Sequence, residues 1–197
     1  MDKDTVLISR VLMFGDKRAY GRLVVKYQNS VRRFILHLNG GNSTQADDLA
    51  QEAFIKAYLN LSSFKALSKF STWLMGIAYR LYIDDYRKHC REVLVENIPE
   101  NLNFANLGAN LGANFGANLG ANLGNDSEKV DLNHDISVAL KILSEDERAV
   151  TLLFYIEDLG IKDVCKTLKM VEGTAKSHLS RARQKIRKFY ETSATNV

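Results

Sequence analysis

Apolar side chains recur along most of this chain at the spacing of a single helix face. Between residues 46 and 61 they follow an i, i+3, i+4 pattern for four turns. The members of this stripe are Ala46, Leu49, Ala50, Ala53, Phe54, Ala57, Tyr58 and Leu61. Residues 16–38 show the pattern of a longer helix, and residues 5–14 that of a short helix ending at Gly15. Since no segment alternates as a strand does, residues 1–94 are predicted to form an all-α domain.

Polar residues and glycines mark where the third and fourth helices begin. Thr44 and Asp47, which follow the Gly40–Gly41 pair, have the spacing of a capping box, so we expect the third helix to start there. Residues 62–69 have no clean period and are predicted to form a loop. The fourth helix is predicted to run from residue 70 to about residue 91. Its apolar stripe consists of Phe70, Trp73, Leu74, Ile77, Ala78 and Leu81.

Helical periodicity stops near the only proline, Pro99, and resumes at residues 132–143. Ser144 and Glu147 then have the spacing of a second capping box, and two shorter helical patterns continue to Tyr190. These patterns predict a second all-α domain over residues 131–197. The predicted fold is therefore two small helical domains joined by a long linker over residues 95–130.

The linker contains a four-residue repeat, Asn-(Leu/Phe)-Gly-Ala, with asparagine at 106, 110, 114, 118 and 122. A helix there would place a glycine in every turn, each costing about 1 kcal/mol relative to alanine. The period of four also fits neither a β-helix nor collagen. With one bulky residue in four, the repeat buries too little apolar surface to offset its ordering entropy. We predict a flexible linker, and the alternative is weak docking of the spaced Leu and Phe side chains in a partner's groove.

Composition and motifs argue against several classes of protein. The chain is 46% hydrophobic and 25% charged, as globular proteins are. Cys90 and Cys165 form no CxxC pair and the four histidines are scattered, so no metal site, cofactor or disulfide is expected. The sequence contains no nucleophile–base pair and no phosphate-binding glycine loop, so we do not expect an enzyme. The start lacks the order of a signal peptide and no apolar run is long enough to span a membrane, so we expect a cytoplasmic protein.

The second domain has the pattern of a helix-turn-helix. A short helix over residues 161–168 and a tight connection at Lys169–Met170 precede a longer helix that begins near Val171 or Glu172. Its apolar positions are Val171, Ala175, Leu179, Ala182, Ile186 and Phe189. Residues 174–190 carry six basic side chains and no acidic one, in a chain of net charge +4. Because a helix of about 10–12 Å diameter fits a major groove about 12 Å wide, we expect it to bind duplex DNA. A solvated basic helix is the alternative.

Two faces of the first domain are also candidates for binding. Asp48, Gln51, Glu52 and Ile55 lie opposite the core stripe of the third helix, where they form either a protein-docking surface or an ordinary solvated face. In the fourth helix, tyrosines spaced three and four apart are interleaved with cations. This set comprises Tyr79, Arg80, Tyr82, Tyr86, Arg87 and Lys88. Aromatic rings among cations suit unstacked bases, but tyrosines at this spacing also suit a core.

Four motifs in order give the chain a resemblance to a known family. DDLAQEAFIKAY, FSTWLMGIAYRLYIDDYRK, LSEDERAVTLLFYIEDLG and EGTAKSHLSRARQKIRK are similar to motifs of bacterial sigma factors of the extracytoplasmic-function group. The resemblance covers nearly the whole chain apart from the repeat. It implies a first domain (region 2) that binds core RNA polymerase and melts the −10 element, and a second (region 4) that binds the −35 element. A stand-alone helix-turn-helix regulator is the alternative, and it would not depend on core polymerase.

The resemblance also implies roles for particular residues. Asp48, Gln51, Glu52 and Ile55 would bind the β′ clamp helices of the polymerase, and the second domain the β flap. The loop over residues 62–71 would capture a base flipped from the −10 element. The implied −10 contacts are Phe64, Lys65, Lys69, Tyr79, Arg80, Tyr82, Tyr86, Arg87 and Lys88. The implied −35 contacts are Thr174, Lys176, Ser177, His178, Ser180, Arg181, Arg183, Lys185 and Arg187. Promoter DNA, core polymerase and an anti-sigma factor are the partners that it implies.

Overall fold

The computed structural model describes residues 3–96, 136 and 138–195, and every regular element in these ranges is helical. This confirms the predicted all-α class. The helices are α1 (Lys3–Phe14), α2 (Lys17–Leu38), α3 (Ser43–Leu59), α4 (Phe70–Glu96), α5 (Glu145–Thr151), α6 (Ile161–Leu168) and α7 (Glu172–Thr195). A 3-10 turn, Leu61–Ser63, follows α3, and a π-helical turn, Leu152–Ile156, continues α5. The predicted linker repeat lies outside the described residues.

The start of α3 corrects a sequence prediction. Its N-cap is Asn42, whose side-chain oxygen accepts a hydrogen bond from the Gln45 backbone N–H at 3.1 Å, and not Thr44. Gly40 and Gly41 have positive φ angles of 72° and 103°, and they turn the chain so that Asn42 arrives with the extended backbone of an N-cap. The spacing of Thr44 and Asp47 therefore placed the N-cap two residues too late in the sequence.

This correction can be tested by paired substitutions. Asn42→Ala should lower the free energy of unfolding by about 1 kcal/mol, because it removes the side chain that caps the N-terminus of α3. Thr44→Ala should change it by only a few tenths of a kcal/mol, since alanine is a good helix former at an exposed position. Urea denaturation followed by circular dichroism measures both values. Equal losses, or a larger loss for Thr44→Ala, would contradict the assignment.

The N-terminal unit is built by packing α2, α3 and α4 against one another. Leu23, Phe34 and Ile35 of α2 and Leu74 of α4 are almost completely buried. The stripe predicted for α3 is buried except at Tyr58, which is 38% exposed. The predicted loop after α3 is found as the 3-10 turn followed by residues without regular structure.

The C-terminal unit confirms the second capping box and the helix-turn-helix pattern. The Glu147 N–H donates to Ser144 Oγ at 3.4 Å, and the Ser144 N–H donates to Glu147 Oε2 at 3.0 Å. Lys169 makes the tight connection between α6 and α7 with a left-handed φ of 54°. Val171 was expected on the apolar face of α7 but is 71% exposed, since it precedes the first helical residue. The buried face of α7 is made by Ala175, Leu179 and Ala182.

The two units pack against each other through one continuous apolar core. Helix α6 lies on α4, where a Cβ atom added at Gly76 would be 3.6 Å from the carbonyl oxygen of Thr167. The Thr167 hydroxyl donates to the Thr72 carbonyl at 3.4 Å. A Cβ at this distance would make ordinary van der Waals contact, so α4 and α6 pack closely at Gly76 without requiring a glycine there.

Polar contacts join the units at the C-terminal end of α2. The Leu38 carbonyl accepts hydrogen bonds from Arg148 Nη1 at 2.9 Å and from the Tyr82 hydroxyl at 3.0 Å. Arg33 forms an ion pair with Glu157 at 3.2 Å. Residues separated by more than a hundred positions in sequence are thus held together. None of the described helices combines the length and the apolar character that a membrane span requires.

Candidate binding surfaces

The first candidate surface is the exposed face of α3. Asp48, Gln51, Glu52 and Ile55 are all exposed, and the Ile55 side chain is 54% accessible although it is aliphatic. Glu52 pairs with Lys56 at 2.9 Å along the helix, a contact that water screens on both sides. The structure therefore brings the four residues predicted to dock a protein onto one accessible face.

A groove beside this face was missed by the sequence analysis. It lies between α2 and α3, has a volume of about 750 Å³, and includes Gln51 and Ile55 of the predicted docking set. Its apolar lining comes mainly from Tyr20, Val24, Phe54, Tyr58 and Leu59. The half-buried Tyr20 and Val24 of α2 contribute to it, but only the packing of α2 against α3 forms the groove.

The rim of the groove is polar and carries an exposed ion pair. Arg32 of α2 pairs with Asp47 of α3, and this hydrogen bond lowers the pKa of the Asp47 carboxyl. Inside the groove the Tyr20 hydroxyl donates to the Phe54 carbonyl at 2.6 Å, and its ring meets Tyr58 edge to face. An apolar groove with charged edges is the type of surface that accepts an amphipathic helix.

The second candidate surface, on α4, does not form a single patch. Tyr82 is only 4% exposed and donates its hydroxyl hydrogen bond to the Leu38 carbonyl, so it belongs to the core. This placement contradicts the interpretation of Tyr82 as a DNA-contacting side chain in the arrangement observed. The reason is that the buried face of α4 is wide at this point. Both Leu81 and Tyr82 are buried, where α4 packs against α2.

Tyr79 and Tyr86 lie on the side of α4 that faces the C-terminal unit. Burial, together with the nearby carboxylates of Asp146 and Glu145, raises the pKa of Tyr79 to about 12. Burial and Glu145, which also hydrogen-bonds its hydroxyl, raise the pKa of Tyr86. We call these two residues the α4 tyrosine face. Both side chains are partly exposed, and their hydroxyl groups lie beside the carboxylates at the start of α5.

Arg80 lies on a different side of α4, beside the loop that follows α3. It lines a polar cavity of about 320 Å³ together with Trp73, Ile77, Leu81 and Asp84 of the same helix, Lys56 of α3, Asn60, and Ser63 of the 3-10 turn. Phe64 is half-buried, because its ring packs against Phe70 and Trp73 at centroid distances of 5.7 and 5.5 Å. The remaining predicted −10 cations are exposed, and they are Lys65, Lys69, Arg87 and Lys88.

The third candidate surface is the exposed side of α7. The predicted contacts Thr174, Lys176, Ser177, Ser180, Arg181, Arg183, Lys185 and Arg187 are exposed, and His178 is partly so. Arg183 Nε donates to the Tyr155 hydroxyl at 2.6 Å, and its guanidinium lies 5.6 Å from that ring's centroid. Since the partner is a hydroxyl group and not a carboxylate, this contact orients Arg183 without pairing its charge.

Other cations of α7 have acidic partners within the chain. Lys176 pairs with Glu172 at 2.6 Å and Arg187 with Glu191 at 2.7 Å, both along the exposed helix surface. Such exposed pairs contribute little and exchange readily for another anion. Lys185 is different, because it reaches the α5 residue Glu147.

Glu147 is a buried carboxylate that ties α7 to α5. It is 3% exposed and accepts from Lys185 Nζ at 2.7 Å, while Arg181 Nε lies 3.6 Å away. Although burial by itself raises the pKa of Glu147, the hydrogen bonds from Lys185 and Ser144 lower it overall. The sequence identified Glu147 only as a helix cap, so its second contact, across 38 residues, was missed.

Comparison with known proteins identifies the family to which this chain belongs. Residues 23–92 match the family model for Sigma-70 region 2, and residues 134–186 match that for Sigma-70 region 4. The chain is 31% identical over 174 residues to the ECF RNA polymerase sigma factor SigW of Bacillus subtilis, covering 88% of this chain and 90% of SigW. It is 30% identical over 188 residues to the ECF RNA polymerase sigma-E factor of Haemophilus influenzae, covering 93% of each.

A solved structure has the same fold. The sigma factor RpoE of Bartonella quintana, crystallised with the anti-sigma factor NepR, superimposes with a TM-score of 0.68 and 24% sequence identity. The match covers 87% of this chain and 96% of RpoE.

Proposed function

Because this chain belongs to the sigma-70 family, as an extracytoplasmic-function sigma factor that directs RNA polymerase to promoters, we propose a separate role for each of its three surfaces. The exposed face of α3 binds the polymerase. The loop after α3 and the exposed side of Arg80 bind the melted −10 strand, and α7 binds the −35 duplex. We propose that the unit that binds the polymerase and the −10 strand comprises residues 1–94, and that the unit that binds the −35 duplex comprises residues 131–197.

Polymerase docking is the role for which the observed geometry is most favourable. The α3 face presents Asp48, Gln51 and Glu52 to solvent, and Ile55 leads from them into the apolar groove. Acidic groups beside an apolar groove suit a helical partner with basic residues on one face, and the clamp helices of β′ are the partner we propose. This adjoining acidic face and groove is the single observation that carries the proposal.

The −35 role is supported by the sorting of side chains along α7. Thr174 and Ser177 lie near its start, where a recognition helix meets base edges, and Arg183 and Arg187 lie two and three turns later, where phosphates are contacted. We propose that Arg183 binds a phosphate in the orientation that Tyr155 gives it. Lys185 would contribute less, since Glu147 holds its ammonium group.

The −10 role is supported by the cavity next to Arg80. A polar cavity of about 320 Å³ bounded by Trp73 and an exposed loop offers both a ring surface and hydrogen-bonding groups to an unstacked base. Lys65 and Lys69 on that loop would contact the backbone phosphates of the same strand. Because Arg80 lines this cavity, we propose that it distinguishes one base from another.

We propose further that the protein acts in the cytoplasm and that its own chain supplies no catalytic group, since the polymerase carries out the chemistry. An anti-sigma factor is a partner suggested by the RpoE complex. Contact of the second unit with the β flap is a proposal from the family alone.

Core-dependent transcription is the experiment that tests the proposed function. Purified chain added to core polymerase on a pool of genomic promoters should give specific run-off transcripts that neither component gives alone. The stand-alone regulator alternative predicts specific DNA binding that is equally strong without core enzyme. Transcripts that do not depend on the added chain would contradict the proposal.

A salt titration tests the role of Arg183 in duplex binding. Arg183→Ala should weaken binding of promoter duplex about equally for all sequences and reduce the slope of log K against log salt by roughly 1, because one phosphate contact is lost. Thr174→Ala, at the helix start, should instead change the preferred −35 sequence while preserving the slope. Fluorescence anisotropy at several salt concentrations measures both. An unchanged slope in Arg183→Ala would contradict the assignment.

A further inference from the structure

The turn between α6 and α7 contains a residue in an unfavourable backbone conformation. Lys169 has a φ of 54° and a ψ of 43°, which is the left-handed helical region. In this region the Cβ atom comes too close to the following carbonyl oxygen. Glycine and asparagine are the residues that usually end a helix in this way. Lysine therefore occupies this position at a conformational cost that glycine or asparagine would reduce.

The backbone of the turn requires this conformation. The backbone N–H groups of Lys169 and Met170 both donate to the Cys165 carbonyl, and the second of these hydrogen bonds is 3.1 Å long. Helix α7 begins at Glu172, so only three residues redirect the chain. A left-handed residue after α6 allows both hydrogen bonds within so short a connection. The hydrogen bonds explain the conformation, but they do not explain why the residue is a lysine.

The end of α6 does not require the charge of Lys169 either. A cation near the C-terminus of a helix interacts favourably with the helix dipole, but Lys166 already lies in the last turn of α6. Lys169 is exposed, so its alkyl chain fills no space in the core. Residues held in sparsely populated conformations cluster at functional sites. An exposed positive charge is what lysine adds here and what neither glycine nor asparagine would provide.

The charge of Lys169 is not neutralised by a neighbouring acid. Lys166 pairs with Asp163 at 3.7 Å, and Lys176 pairs with Glu172 at 2.6 Å. Among the described residues, no carboxylate forms an ion pair with Lys169. The acids on either side of the turn are therefore already paired with other lysines, and Lys169 is available to an anion outside the chain.

The position of Lys169 places that charge beside the expected path of DNA. In a helix-turn-helix the first helix crosses the sugar–phosphate backbone, and the second enters the major groove with its N-terminal end. Helices α6 and α7 have this order, and Lys169 joins them three residues before Glu172. The turn must therefore pass close to the backbone at the edge of the groove. Each phosphate that a cation neutralises there strengthens binding by releasing counterions.

We propose that Lys169 binds a phosphate of the −35 duplex at the edge of the major groove that α7 enters. The proposal rests on the proposed function, in which α7 binds that duplex. Because phosphates carry no sequence information, Lys169 increases affinity for all sequences and does not select bases. The lysine thus lowers the stability of the turn and adds a DNA contact at the same position.

Three substitutions of Lys169 separate its charge from its strain. Lys169→Gln removes the charge and keeps the strain, Lys169→Asn removes both, and Lys169→Arg keeps both. We expect the Gln and Asn variants of the full chain to bind fluorescein-labelled promoter duplex about fivefold more weakly at about 0.1 M salt. The slope of log K against log salt should fall by roughly 1 in both variants, and Lys169→Arg should bind as the wild type does. Urea unfolding should have a higher midpoint in Lys169→Asn than in Lys169→Gln, since only asparagine relieves the strain.

Two control variants isolate the position of the charge and the effect of strain. Lys3→Gln removes the same charge from an exposed site on α1, outside the helix-turn-helix, and should leave the salt slope unchanged. Asp158 precedes α6 and has a left-handed φ of 50° as well. Asp158→Gly relieves strain in the same unit without removing a cation, so it should not weaken duplex binding.

The outcomes distinguish failure of this proposal from failure of the proposed function. Wild-type affinity and slope in Lys169→Gln would overturn the phosphate contact, and so would an equal loss of slope in Lys3→Gln or weak binding by Lys169→Arg. An unfolding midpoint of Lys169→Asn at or below that of Lys169→Gln would contradict the conformational cost. If the wild-type chain gave neither specific duplex binding nor core-dependent transcripts, the proposed function itself would fail.

Discussion

Glu52→Lys should weaken binding of the chain to core RNA polymerase by about 30-fold or more, which corresponds to roughly 2 kcal/mol and is typical of a residue central to an interface. The Glu52 side chain is 48% exposed, and within the part of the chain that the structure describes its ion pair is with Lys56 one turn along α3, so the fold does not require its charge. A lysine there places like charges one turn apart, which costs a helix only about 0.2–0.5 kcal/mol. The loss should therefore appear in binding and not in the free energy of unfolding.

An aliphatic pair supplies the matched control for this docking surface. Ile55→Ala should weaken core binding severalfold because it removes the side chain that leads into the groove. Val6→Ala removes a comparably exposed aliphatic side chain from α1 (44% against 54%) and should have no effect. Affinity measured by biolayer interferometry, with circular dichroism as the test of folding, separates the variants. If Glu52→Lys binds core enzyme as the wild type does, the face has been assigned wrongly.

Shortening the linker to about ten residues should abolish transcription from promoters that need both elements. Ten extended residues reach at most about 35 Å, which cannot bridge roughly 50 Å between the elements. The predicted linker of about 35 residues has an r.m.s. span of ~30–35 Å if it behaves as a flexible chain and a maximum beyond 100 Å. Run-off transcription on one promoter, with binding of core enzyme as a control that should not change, measures the loss.

Two milder linker variants decide whether length or sequence matters. Replacing residues 106–124 with a Gly/Ser run of equal length should leave transcription within a few-fold. Removing two repeat units should also be tolerated, since about 27 residues still reach well past 50 Å when extended. A large loss in the equal-length variant would instead show that Leu107, Leu111, Phe115, Leu119 and Leu123 dock at a specific site.

Local patterns were sufficient to predict most of the helices and one surface. The limits of α6, the start of α7 at Glu172 and the capping box at Ser144 follow from side chains within a turn of each other, and the structure agrees. The exposed α3 face was predictable for the same reason, because residues spaced three and four apart share a face whatever packs behind them. The family resemblance also rested on contiguous motifs, which need no tertiary information.

Contacts between distant residues decided what these patterns left open. The tyrosines of α4 all recur at helical spacing, yet Tyr82 is in the core, where the Leu38 carbonyl, 44 residues away, accepts its hydrogen bond. Lys185 is one of six cations in α7, yet the buried Glu147, 38 residues earlier, holds it.

By itself the sequence determined most of the helices, the exposed face of α3 and the family, because these depend on residues within a few turns of one another. Only the tertiary structure decided that the hydroxyls of the α4 tyrosine face lie beside carboxylates of α5 and that α2 and α3 enclose a groove. The physical reason is that burial depends on which remote element packs against a side chain. Periodicity along one helix indicates whether a face is buried or exposed, but it does not indicate which element packs against that face.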